Sequence, residues 1–552
     1  MEQPNTISSA LRKLHKLIMT DRRDVTSVYF FAIVGGLISL SLPLGIQTII
    51  NFVIANTLST SVIVLITIVI GGVFLNGFVQ VRQSQVIERI RQKIFTRYTL
   101  EFSHKIPKIS LEEMDNYYLP EVVNRFFDIP ALAKSIEKLL IEIPTSIIQI
   151  LLGLILLSFY HPLFIGFGAF VLIVLVIIIS ITSPQGFKTN MQSSDYKYKT
   201  AGWLQEIARG AKTFRYSKGS SLHMQKTDEL VGEFLGTRTA HFKILTTQYW
   251  SLILFKILIV AVMLIAGTWL LLNQQINVGQ FIAVDIVIIL IISSVEKLIA
   301  TMDNVYDSLT SIEKLGKIVD SKIEANGNLS FDNSNGCYID FVNVEFAYPD
   351  GSKALKHADF MIASNEVICV KGASGAGRST ILRLLTGAYP SFDGSILLNK
   401  IPIGNYNLYD LRAHTGIMLN EQDIFKGSIL ENLTMGSLSI SMKEITYLAD
   451  KVGFTEFIAN NKNGYDTMLD PMGKRLSNQV RQNIKLLRAL LGKPTLLLLE
   501  EPLKHLNATQ EFAMMEYLRV ESNATVLIIS NDKDLHVLAD KVLGLEDGVI
   551  IN

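Results

Sequence analysis

Six runs of mostly apolar residues dominate the first 305 positions, near 25–48, 60–81, 142–160, 162–183, 251–273 and 278–300. A hydrocarbon layer is crossed by about 20 such residues in a helix, so each run is long enough to span a membrane. A chain of 552 residues with 49% hydrophobic and only 18% charged residues cannot cover a globular surface of that size with charge, and the mean hydropathy of +0.33 agrees. Part of it must sit in lipid. The formal net charge of +1 gives no reason to expect nucleic acid as a partner.

Between the second and third runs, and again between the fourth and fifth, lie polar stretches rich in Lys and Arg, including Arg82, Arg89, Arg91, Lys93 and Arg97 in the first and Lys188, Lys197, Lys199, Arg209 and Lys212 in the second. Positive charge marks the cytoplasmic side, which places both stretches and both termini inside. Each stretch is expected to continue its flanking helices beyond the membrane. The turn at His161-Pro162 makes the third and fourth runs an outer-face hairpin. The basic segment Leu11 to Leu17, followed by Arg22-Arg23, is expected to be an interfacial helix rather than a cleaved signal peptide. Within the spans, Lys256 and Asp285 stand out because ionisable groups in lipid face a cavity or a partner. Lys256 has a second reading, snorkelling from a helix end.

After residue 315 the pattern changes. A linker at 318–336, most polar from Asp320 to Gly336, precedes short β-rich runs (Cys337–Phe341, Val367–Val370, Ser395–Leu398, Thr495–Leu499, Thr525–Ile529) alternating with helical patterns at 379–387, 442–452 and 477–491. That alternation predicts an α/β domain with a parallel core sheet over 337–552, behind a six-helix domain over 25–317 and a short helix over 1–24. Cys337 and Cys369 fall inside expected strands, away from any His cluster, and are expected to be reduced and packed.

The strongest local signal is Gly372, Ala373, Ser374, Gly375, Ala376, Gly377, Arg378, Ser379 and Thr380, between the apolar strand Val367–Val370 and the start of a helix. Glycines let backbone N–H groups turn inward around phosphates, the helix N-terminus adds positive potential, and the Ser379 hydroxyl suits a magnesium position. Where such a loop carries Lys, this one carries Arg378. A planar guanidinium keeps the charge without fitting the same point between the β- and γ-phosphates, so binding should survive better than hydrolysis.

With the residues downstream, the chain resembles the ABC exporter family over essentially its whole length, most closely the branch of type I protein secretion exporters. Tyr348, in Ala347-Tyr348-Pro349, stands where the family stacks an aromatic on adenine. The surroundings of Asn420, from Gly416 to Asn432, are similar to the family's Q-loop with Asn420 at the glutamine position; Gln422 lies two places late. Leu476 and Ser477 match the start of the LSGGQ signature, but Asn478 and Gln479 replace both glycines. Glu500 and Glu501 close an apolar strand where the family has its magnesium-associated Asp and its general base, and Asn531 stands where a γ-phosphate-sensing His belongs. His536, further on, is expected to be a surface residue. The segment from Trp203 to Phe214 resembles the second coupling segment, and Ser311 to Ile318 the helix leaving the last span toward the nucleotide domain.

The resemblance implies ATP and Mg2+ as cofactors, with Tyr348, the 372–380 loop, Asn420, Ser477 and Glu500 binding nucleotide, Ser379 and Glu500 at the metal, and Glu501 with Asn531 at the catalytic positions. It also implies a multi-pass protein of the cell's inner (plasma) membrane with its ATP-binding domain in the cytoplasm, working with a second half-transporter and, in the secretion branch, a periplasmic adaptor. Several parts of the phosphoryl-transfer machinery are altered at once, so pairing with a competent half-transporter is the leading expectation. A non-catalytic membrane regulator and an active homodimeric pump are the alternatives. The substrate is not legible in the residues, although the resemblance points toward a peptide or protein.

Overall fold

The computed structural model describes residues 7–55, 60–115, 119–331 and 336–551. The first residues, Met1 to Pro4, and Asn333, Ser334 and Asn335 of the expected linker lie outside them. The chain divides into two compact units, residues 1–107 with 118–321, and residues 108–117 with 322–552.

The first unit is helical, and among the described residues six helical segments are long and apolar enough to cross a membrane. They continue well past the apolar runs: Thr60–Lys105 has 46 residues, Leu163–Arg209 has 47 and Leu222–Leu272 has 51. Only 11% of the most apolar window of the second segment is buried by protein, so most of its side chains need lipid. The first span is broken, with Arg22–Ser39 and Ser41–Ile54 meeting at Leu40. Pro43 accounts for the break, because its ring clashes with the carbonyl four residues back, that of Ser39. The basic N-terminal segment forms the helix Ile7–Thr20, which buries Ala10, Leu14 and Leu17 while Lys13 pairs with Glu313 at 3.0 Å.

Inside this unit several buried polar groups bond to one another, which offsets the cost of taking them out of water, while others, Ser146 and Ser308 among them, keep a buried hydroxyl with no hydrogen-bond partner among the described residues. Gln248 donates to Thr182 at 2.7 Å and to Tyr306 at 2.9 Å, and the fully buried His241 sits between Thr189 at 3.0 Å and Asp303 at 3.1 Å. Gly186 leaves room for the Tyr306 ring, which a Cβ there would meet at 2.5 Å. Lys256 is not alone: its ammonium pairs with Glu296 at 2.6 Å. Asp285 is exposed on the helix Val278–Val319.

The second unit contains two sheets. Strands Lys353–Ile362, Ile339–Ala347, Asp393–Leu398 and Ile401–Pro402 pair antiparallel in that order. The core sheet runs Val549–Ile551, Lys541–Glu546, Val367–Gly372, Thr525–Ile529, Leu496–Glu500, Thr415–Met418, parallel except for the Val549–Ile551 edge. The three central strands are buried almost throughout, which is why they read as unbroken runs of Leu, Ile and Val rather than as alternation. The described part of the linker is anchored within this unit: Glu324 takes a two-pronged bond from Arg412, the Asn326 side chain accepts from the Leu408 N–H, and Phe331 is buried against Tyr406.

Cys337 and Cys369 are free thiols inside this core, and burial pushes them up to about 12 and about 11 respectively. The thiolate is the reactive form, so neither should react with a maleimide at pH 7.5 in the folded chain. Mass spectrometry after a short pulse should find no label without denaturant and label on both with it.

Candidate nucleotide site

Parallel pairing brings the carboxyl ends of four strands to one edge, where ligands of open α/β sheets bind. Val370 lies opposite Ile529, Ile529 opposite Glu500, and Leu499 opposite Met418. The segments leaving these strand ends therefore converge: the loop 372–380, then Ser530 and Asn531, then Glu500 and Glu501, then Leu419 and Asn420. They are far apart in sequence, and only this register makes them neighbours.

The loop has the shape needed for an anion. Gly375 and Gly377 take φ of +85° and +98°, and a Cβ on Gly377 would come within 2.2 Å of the Ala354 carbonyl oxygen, so a side chain fails there on both counts. Gly377 caps the helix Arg378–Leu385, whose first turn carries Ser379 and Thr380. Ser374 and Gly375 are exposed at the tip, while Ala376 is buried.

The Ser379 hydroxyl donates to Glu500 at 2.5 Å, and the other Glu500 oxygen accepts from the Asn420 N–H at 2.8 Å. A hydroxyl and a carboxylate meeting at the helix start are hard oxygen donors of the kind magnesium takes beside nucleotide phosphates. Among the described residues no cluster of three or more His, Cys, Asp or Glu could hold a metal, so an ion here would draw its remaining ligands from phosphate and water. Glu501 sits one residue on, at a φ of +47°, with its carboxylate accepting from the Ser530 hydroxyl at 3.3 Å and its carbonyl from Gln482 at 3.0 Å.

Arg378 and Asn531 meet. The Asn531 side-chain oxygen accepts from the Arg378 guanidinium at 3.1 Å and from the Gly372 N–H at 3.1 Å. His536 is half-buried rather than a free surface residue, because its Nε2 lies 3.1 Å from the Ser530 carbonyl oxygen, at the end of the strand that delivers Asn531. Its position on the helix Lys533–Leu538 folds it back onto that strand end.

Tyr348 is brought to the same loop from the antiparallel sheet: its hydroxyl lies 3.0 Å from the Thr380 hydroxyl and accepts from Arg383 at 2.8 Å, and Arg383 in turn pairs with Glu421. The rings of Phe346 and Tyr389 meet Tyr348 edge-on at 5.0 and 5.6 Å. Tyr389 donates to Asp115 at 2.9 Å, within the 108–117 segment that belongs to this unit. Sequence reasoning missed Arg383, Tyr389 and Asp115. Spacing carries no sign of Asp115, whereas Arg383, one turn along the helix after Ser379, was accessible from its i, i+4 placement.

Ser477 stands apart from this group. Its hydroxyl accepts from the Val480 N–H at 3.2 Å and caps the helix Asn478–Leu490, and the side chains of Asn478 and Gln479 are exposed on its first turn.

A helical membrane unit in one chain with a phosphate-loop sheet defines the class, a membrane-anchored nucleotide-binding protein. The family model "ABC transporter transmembrane region" matches residues 25–295 and "ABC transporter" matches residues 355–504. The chain belongs to the ABC transporter family, as an exporter-type, multi-pass membrane protein with a fused ATP-binding domain on the cytoplasmic side. It is 28% identical over 288 residues to the alpha-hemolysin translocation ATP-binding protein HlyB of Escherichia coli, covering 52% of this chain and 41% of that one. It is 30% identical over 279 residues to the cyclolysin secretion/processing ATP-binding protein CyaB of Bordetella pertussis, covering 50% and 39%. The matches thus span less than half the length of these relatives. Among solved structures, a bacterial Atm1-family ABC exporter with ATP bound superposes with a TM-score of 0.86 over 96% of this chain and 94% of that one, at 19% identity, a likeness of fold.

Stacking of a base on an aromatic ring contributes about 1–3 kcal/mol. ATP should therefore raise the melting temperature of the purified chain, and Tyr348→Ala should weaken that binding by about tenfold or more while leaving the unliganded chain folded. Absence of any ATP shift at millimolar concentration would remove nucleotide binding from the account.

Proposed function

We propose that this chain is the ATP-binding, weakly hydrolytic or non-hydrolytic half of a two-subunit exporter, moving its cargo out of the cytoplasm by alternating access with a competent half-transporter. The observation that carries this reading is the bond between Arg378 and Asn531 at the phosphate loop. Two departures from the family pattern engage each other there, so the γ-phosphate position has neither a lysine ammonium nor an imidazole beside it. Binding features are kept: the backbone loop, Tyr348, and the Ser379–Glu500 oxygen pair that would hold Mg2+ with the phosphates. When bound, that ion would neutralise phosphate charge, while Ser379 and Glu500 hold their oxygens in place for it.

The signature side supports the same reading. Closure over a nucleotide held by the opposite subunit needs backbone amides to come close, and Asn478 and Gln479 present side chains on the first turn of their helix instead. Resemblance to secretion exporters makes a peptide or protein the favoured cargo and a periplasmic adaptor a candidate partner. In the membrane unit, Asp285 is the residue proposed to line the path. The segment 203–214 and the helix end 311–318 are proposed to transmit motion: Trp203 packs edge-on against Phe214 at 5.9 Å where two long helices turn, and the buried Lys314 pairs with Asp195.

Groups that act as a catalytic unit are non-additive, so repair of one should do little. Arg378→Lys alone should leave ATP turnover of the purified chain near background, while adding Asn531→His, Asn478→Gly and Gln479→Gly should raise it on the order of tenfold or more. A strong gain from Arg378→Lys alone would favour the active homodimeric pump. Co-purification from native membranes should bring down a second half-transporter; recovery of this chain only, with neither such a partner nor export defects on its deletion, would favour a non-transporting regulator.

A further inference from the structure

A second polar cavity, of about 190 Å³, opens in the ATP-binding unit beside the nucleotide site. Asn420 forms the partition between the two. Its N–H bonds to Glu500 on the nucleotide side, and its carbonyl accepts from the Lys485 ammonium at 2.9 Å on the cavity side. Arg481, Lys485, Lys504 and His505 line the cavity, against a single carboxylate, Asp423.

These cations outnumber the carboxylates around them. Among the described residues none of Arg481, Lys485 and Lys504 forms an ion pair; Arg481 donates to the Asn478 amide oxygen and Lys485 to a backbone carbonyl. Neutral oxygens satisfy the N–H groups without cancelling the charge, and gathering unneutralised cations around one partly buried space is unfavourable unless an anion joins them. Burial pushes the Lys485 ammonium down from its ordinary value, helped by the neighbouring Arg488 and Arg481 and opposed by the Asp423 and Glu500 carboxylates. The backbone of the turn is also held in an uncommon form, with φ of +47° at Glu501 and +86° at His505. Such conformations persist in non-glycine residues only where the surroundings over-determine them.

Size limits the occupant. The cavity falls below the about 300 Å³ at which clefts for drug-sized ligands begin, so a compact group suits it better than a whole nucleotide. Convergent ammonium, guanidinium and imidazole groups suit a compact, multiply charged oxyanion.

We propose that this cavity binds a phosphate-type oxyanion, held by Arg481, Lys485, Lys504 and His505, at a site separate from the phosphate loop. The phosphate is either free inorganic phosphate or the terminal phosphate of a nucleotide bound elsewhere. Occupancy offers Lys485 a charged partner in place of the Asn420 carbonyl, and so acts on the same residue whose N–H bonds Glu500. The proposal does not depend on whether this chain hydrolyses ATP.

The test uses the full chain in nanodiscs, titrated with sodium phosphate against sodium chloride at matched ionic strength, with melting temperature and bound radiolabelled phosphate as readouts. Phosphate should raise the melting temperature saturably, and chloride should not. Lys504 is exposed and its ammonium has no bonding partner among the described residues, so Lys504→Gln should leave the unliganded melting temperature unchanged while weakening phosphate by about tenfold, the loss expected for one charge-assisted bond. Lys485→Met with Lys504→Gln should abolish the effect, and Arg378→Ala, in the phosphate loop, should retain it. ATP that displaces labelled phosphate from the Arg378→Ala chain identifies the terminal phosphate of a nucleotide as the ligand; phosphate that stays bound under ATP identifies the free ion. Equal protection by chloride, or loss of the phosphate effect in Arg378→Ala but not in the Lys485 and Lys504 variants, would overturn the proposal.

Discussion

The nucleotide site depends on strand register. Val367–Gly372, Thr525–Ile529, Leu496–Glu500 and Thr415–Met418 lie side by side, and their pairing sets Arg378, Asn531, Glu500 and Asn420 within hydrogen-bonding reach of one another or of a shared neighbour. Because these strands are buried on both faces, their register is held by core packing more than by the loops they carry. Loop residues can then change chemistry without loss of the fold. The scaffold brings the Ser379 hydroxyl and the Glu500 carboxylate together beside the glycine loop, with Arg378 and Asn531 bonded to each other at the same sheet edge.

The membrane unit obeys a different constraint. With little water at mid-span, backbone polar groups are satisfied within each helix, and polar side chains gain by finding one another. The bonds from Gln248 to Thr182 and Tyr306, the contact of His241 with Asp303 and the pair of Lys256 with Glu296 meet that demand. Long helices continue these arrangements past the apolar segments, where Lys13 and Glu313 tie the first helix to the last.

Much of this was legible in the sequence, for identifiable reasons. Hydropathy runs of about 20 residues have few alternatives to spanning helices, so six spans were readable, and apolar strands before Gly372, Glu500 and Ser530 announced the sheet. The class of the site was readable because its motifs keep their order. Contacts between distant segments were not. Nothing near Tyr389 points to Asp115, and the cavity basic residues come from two separate segments that only the fold assembles. The break at Leu40 was accessible from Pro43 but is masked by continuous hydropathy. His536 was misplaced on the surface because a helical residue's inward face cannot be read from six residues.

The central claim, that this chain binds ATP but does not turn it over unaided, is tested most directly by steady-state ATP hydrolysis of the purified chain in nanodiscs beside its Glu501→Gln variant. Equal, near-background rates in the two, at ATP concentrations shown to saturate binding, are the result the account predicts. Turnover well above background in the chain, lost in Glu501→Gln, would contradict it.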